Sequence, residues 1–89
     1  MSQYSAGTTD DPSTTLELIG LPRRDGFGNL IAAFDRLEPG DGLLVVDNRD
    51  LSWVLKFIRD LRHDQLDAAR SHAFQKPENS FLYLVKNED

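Results

Sequence analysis

The sequence predicts an α/β chain, specifically an α+β two-layer sandwich in which a four-stranded mixed sheet carries two helices on one face. Three observations predict it. Two apolar stripes at helical spacing each follow a strand-like run. The second of those runs, GLLVV at residues 42–46, is continuously apolar, as a central strand reads. Two further strand-like segments close the chain, joined by a short turn. The order is therefore β-α-β-α-β-β. A strand, a helix and a parallel strand form a right-handed crossover, which places both helices on the same side of the sheet.

Taken in order, residues 14–20, TTLELIG, put Leu16 and Leu18 on one face and Glu17 on the other, and the closing glycine ends the strand. The joint PRRDGFG follows. Phe27, Leu30, Ile31, Phe34 and Leu37 then recur at helical spacing, with Asp25 as the expected N-cap and Pro39 ending the helix. After the central strand, residues 47–50 form a polar turn. Val54, Leu55, Ile58 and Leu61 make the second stripe, in a helix expected to run to about His63. Trp53 and Phe57 lie on its flank, four residues apart. Residues 67–75 read as a third strand, residues 76–80 as a turn bent by Pro77, and residues 81–85, FLYLV, as the last strand of an antiparallel hairpin.

Composition bounds the function. The chain has 89 residues, so it holds one domain, expected over residues 15–87 behind a disordered tail at residues 1–14 rich in Ser, Thr, Gly and Asp. Fifteen acidic residues against ten basic give a net charge of −5, which argues against broad nucleic-acid binding and against docking to an anionic membrane. There is no cysteine, so disulfides, thiolate nucleophiles and thiolate metal sites are excluded. The sequence has no membrane-length apolar run and no signal-peptide pattern, and it points to a cytoplasmic protein without a cofactor.

The segment LELIGLP at residues 16–22, the amphipathic helix after it, and LEPGDGLLVVDNRD at residues 37–50 resemble the TusA-like, or SirA-like, sulfur-carrier superfamily. They are more similar still to its thiol-free relatives, a domain of unknown function. The resemblance spans residues 15–86 and implies the same β-α-β-α-β-β sandwich. The superfamily's working residue is a cysteine in a Cys-Pro-x-Pro motif just after Gly-Leu, where it accepts and passes on persulfide sulfur. In this chain the matching positions hold Pro22, Arg23, Arg24 and Asp25, with Arg23 as the cysteine's counterpart. Persulfide transfer is excluded. The thiol-free relatives carry an Asp-His-Asp-Pro-like turn after the second strand. Here the turn is Asn48-Arg49-Asp50-Leu51, with Arg49 in the histidine's place.

Several residues are candidates for a site. The joint offers helix N-terminal amides, Gly26 and Gly28 for close backbone approach, and Arg23 and Arg24 for an anionic group. Arg49 begins the equivalent turn after the next parallel strand. The alternative is a solvated turn whose amides Asp25 occupies. Trp53 and Phe57 either complete the core or form a patch for an unknown protein partner. Phe81 and Tyr83 on the sheet's free face would favour a homodimer through that face. His63 and His72 could ligate a metal or haem in a redox accessory domain, although no metal-ligand spacing joins them. Asp47, Asp50, Asp60, Asp64 and Asp67 read as turn and cap residues. The reading that emerges is a non-catalytic binding or protein-interaction module, with the metal or haem accessory as its alternative.

Overall fold

The computed structural model describes residues 14–88. The expected tail lies outside them except for Thr14, which opens the first strand. The elements are β1 (Thr14–Glu17), α1 (Arg23–Arg36), β2 (Gly42–Asp47), α2 (Ser52–Leu61), β3 (His72–Gln75) and β4 (Ser80–Val85). The sheet order is β1-β2-β4-β3, with β1 parallel to β2 and the other two pairings antiparallel. The predicted sandwich and its element order are what the chain forms.

Alternation along the two central strands sorts the sheet's faces. Leu43 and Val45 of β2 and Leu82 and Leu84 of β4 point to the helices and are fully buried. They meet Leu30 and Phe34 of α1 and Val54 and Ile58 of α2 in one cluster. Leu44, Val46, Phe81 and Tyr83 occupy the other face. There Phe74 stacks flat on its cross-strand neighbour Phe81, with centroids 5.0 Å apart and planes within 5°. Tyr83 is 9% exposed on that face. Its ring lies over Gly42, where a β-carbon would stand 2.5 Å from the phenol oxygen, so β2 starts with glycine to admit the ring.

Strand β1 ends at Glu17, short of the expected Gly20, and β4 starts one residue early at Ser80; three further boundaries differ from the sequence expectation. Helix α1 starts at Arg23, with Pro22 as its N-cap (φ −57°, ψ 148°) and no capping side chain. Asp25 sits inside the first turn instead of before it. Pro22 holds the extended conformation that precedes the helix, and its carbonyl accepts the Gly26 N–H at 2.9 Å, so the first helical bond closes before Asp25. Helix α2 stops at Leu61, where the Arg62 N–H donates to the Ile58 carbonyl. Strand β3 starts at His72, not at residue 67. The Arg70 N–H donates to the Asp67 carbonyl, and the Ser71 hydroxyl donates to the same carbonyl at 2.7 Å while accepting the Val85 N–H at 2.9 Å. That turn satisfies locally the groups a longer strand would have paired.

Candidate functional site

The two parallel strands end side by side, and the loops after them meet. After β1, the Leu18 N–H continues the ladder to the Val46 carbonyl at 2.8 Å. The Leu21 N–H then folds back to the Leu18 carbonyl at 3.1 Å. Gly20 takes φ +87° in that turn, a conformation that favours glycine. After β2, Asp47 is 3% exposed and its carboxylate has two tasks. One oxygen accepts the Asn48 N–H at 2.7 Å, and the other faces the Arg49 guanidinium at 3.0 Å. The same guanidinium donates through Nη2 to the Leu21 carbonyl at 3.0 Å and reaches the Leu18 carbonyl at 3.4 Å. Arg49 thus ties the loop after β2 to the loop after β1, through the Leu21 carbonyl and through the Leu18 carbonyl that it shares with the Leu21 N–H.

Helix α2 starts by a different device. The Ser52 N–H and hydroxyl both donate to the Asp50 carboxylate at 3.0 Å, and these bonds hold its carboxyl below the usual range. The Leu51 N–H is satisfied by the buried Ser80 hydroxyl at 3.1 Å.

Between the two helix starts lies a narrow cleft of about 30 Å³, lined by Leu18, Arg23, Gly26, Arg49, Leu51 and Trp53 among others. That volume admits one or two waters and no ligand of metabolite size. Arg23 closes its outer side, with the guanidinium carbon 5.7 Å from the centre of the Trp53 ring. Across that wall the surface opens into a shallow apolar depression of about 440 Å³ lined by Arg23, Arg24, Phe27, Trp53 and Phe57. Phe27 and Phe57 meet edge to face at 4.8 Å. Trp53 lies 6.4 Å from Phe27 and 6.5 Å from Phe57, so each ring touches the other two. Trp53 and Phe57 nevertheless stay 45% and 43% exposed.

The structure therefore brings Arg23, Gly26 and Arg49 to one cleft and leaves the other two joint candidates off it. Arg24 lines only the outer depression. Gly28 is exposed, with nothing within 4 Å of where its β-carbon would be, and Gly26 is packed on the Leu18 side chain at 3.6 Å. Arg49 is turned inward onto Asp47 and the carbonyls, away from Arg23's aromatic partner. His63 is exposed beside Asp64 at 3.6 Å, and His72 lies on the sheet's free face against Phe74 and Tyr83. Among the described residues, no three His, Cys, Asp or Glu side chains group to hold a metal ion, and no helix is long and apolar enough to cross a membrane.

Sequence reasoning missed Leu61 as a surface residue and missed that Phe27, packed on the core, also lines the outer depression. Both belong to the apolar stripes, so spacing assigned them to the core. Phe27 is half-buried against Phe57, and Leu61 is 46% exposed one turn beyond it. The signal was present in the register: Trp53, Phe57 and Leu61 recur every four residues, a line of their own beside the buried line through Val54 and Ile58. No family model, curated protein or solved structure matches the chain.

Proposed function

We propose that the chain is a non-catalytic protein-interaction module whose contact surface is the ring cluster of Phe27, Trp53 and Phe57 edged by Arg23 and Arg24. Its scaffold resembles the thiol-free side of the sulfur-carrier superfamily, and Arg23 stands where a carrier would hold its cysteine. The observation that carries the reading is the exposure of two large rings, 45% for Trp53 and 43% for Phe57, inside a cluster already in mutual contact. Rings that served only the core would be buried. Exposed aromatic patches beside arginine are the composition of binding hot spots. The cleft behind the patch supports the non-catalytic half of the proposal. It is too small for a substrate, and its carboxylate and guanidinium, Asp47 and Arg49, are bonded to each other.

Peptide display against the chain tests the reading. Selected binders should perturb the amide resonances of Phe27, Trp53 and Phe57 and lose their affinity to Phe57→Ser. Binders that map to another surface would overturn it. A titration with inorganic phosphate alone separates the rival small-anion reading, in which the amides of residues 23–26 would shift without any peptide.

A further inference from the structure

The patch has a shape and a charge, and together they specify what it docks. Trp53, Phe57 and Leu61 are the three most exposed large apolar residues of α2, at 45%, 43% and 46%, and they fall at i, i+4 and i+8. Such a row is the ridge that a neighbouring helix packs against, and it runs about 12 Å, two turns of helix. Phe27 of α1 forms one wall beside it.

Charge is segregated between the helices and the rest of the chain. The two helices hold five basic residues against three acidic, a net +2, and the rest of the chain holds five against twelve, a net −7, which restores the total of −5. Arg23 and Arg24 line the depression and no acidic side chain does. Among the described residues neither arginine forms an ion pair, whereas Arg49, Arg62 and Arg70 each face a carboxylate. The Trp53 ring under Arg23 holds that guanidinium at the edge of the depression, ready for a carboxylate.

Resting on the interaction reading above, we infer that the partner is an acidic amphipathic helix. It lies along the α2 ridge as a third helix of the layer, sets apolar side chains at i and i+4 against Trp53, Phe57 and Leu61, and turns carboxylates to Arg23 and Arg24. This is the helix-in-groove mode, with electrostatics setting the partner's sign and orientation.

Trp53 is the chain's one tryptophan, so its emission reports the site directly. The probe is a synthetic peptide of about 18 residues of Leu, Ala and Glu, long enough to be helical, with Leu at i, i+4 and i+8. Controls replace its Glu by Lys, or place a proline at its centre. The acidic helix should shift Trp53 emission and bind about tenfold or more tightly than the Lys and proline peptides. Its affinity should fall with added salt and be lost to Arg23→Glu with Arg24→Glu, while the circular dichroism of that variant is unchanged. Equal binding of the acidic and basic helices would overturn the acidic-helix inference and leave the interaction surface standing, as would display binders that occupy the patch in an extended form. A concentration-dependent dimer abolished by Phe57→Glu would overturn it in favour of a second copy. Silence of Trp53 toward the probes and the display binders alike would remove both readings.

Discussion

Arg49 and Arg23 flank the same cleft and behave oppositely. Arg49 has a buried carboxylate at 3.0 Å and two loop carbonyls within 3.4 Å, so its charge is consumed by the fold. Arg23 has an aromatic face and, among the described residues, no carboxylate. The difference arises from the acceptors each neighbouring loop presents. The turn at Ile19–Gly20 aims the Leu18 and Leu21 carbonyls at the strand ends, and Asp47 is buried there, so an arginine placed nearby closes the gap and becomes structural. The start of α1 presents no such acceptors outward. The inner region thus spends its guanidinium on the fold, and the outer one has exposed rings and, among the described residues, arginines without a carboxylate partner. The proposed interaction rests on the second.

The most severe way to break this contrast is Asp47→Ala. It leaves a half-buried guanidinium without its anion and the Asn48 N–H without its acceptor. The expected loss is about 2–3 kcal/mol in urea unfolding, below the full cost of a deeply buried pair because Arg49 remains partly wetted. Peptide binding by whatever fraction stays folded should not change. Arg49→Lys comes next. A single ammonium keeps the charge but cannot reach Asp47 and both carbonyls together, so about 1–2 kcal/mol should be lost. A variant at Asp47 that unfolded no more easily than the parent would show that the loops are held by something else.

The outer region should respond in the reverse sense. Phe57→Ala removes a ring that is nearly half in water already, and Arg23→Ala removes one exposed cation–π contact. Each should cost about 1 kcal/mol or less in stability. Both should weaken any patch ligand far more than they weaken the fold. A large stability loss from Phe57→Ala, measured by the same unfolding curves, would make the cluster a piece of core and dissolve the comparison.

The inner region was the harder one to foresee. Element order, the two helices and the hairpin were legible because apolar periodicity is local and each stripe lies within one segment. The partners of Arg49 are not local: two are backbone carbonyls 28 and 31 residues away, and no residue type announces a carbonyl. Sequence therefore offered Arg49 as a ligand-binding group. The start of α1 was misplaced because Asp25 is a good cap by composition, whereas the proline three residues earlier set the boundary by its backbone. Trp53 and Phe57 stood out by their offset from the Val54–Ile58 line. Their exposure depended on how α1 and α2 sit side by side, which spacing within one helix does not encode.

An exposed counterpart of the Arg49 fork gives the smallest effect and the cleanest sign. Arg62 meets Asp35 of α1 with two parallel bonds, Nε to Oδ1 at 3.0 Å and Nη2 to Oδ2 at 3.1 Å, while Lys86 donates to the Asp35 carbonyl. The Arg62 hydrogen bonds first, against a lesser opposing effect of burial, and then the charges of Arg62 and Lys86 hold the Asp35 carboxyl below its ordinary value of 3.8. A depressed carboxyl contributes stability that is fully present above the unfolded-state value and fades as pH falls through the folded one. The contribution should therefore be constant from neutral pH down to about 5 and disappear only below 3.8. The raised value of Arg62 acts at the alkaline end and leaves this window untouched. Asp35→Asn should melt slightly below the parent at neutral pH, and the two curves should converge in acid. Curves that already coincide at neutral pH would mean that the fork is not formed in solution and that Arg62, like Arg49 in the absence of Asp47, would stand without its carboxylate.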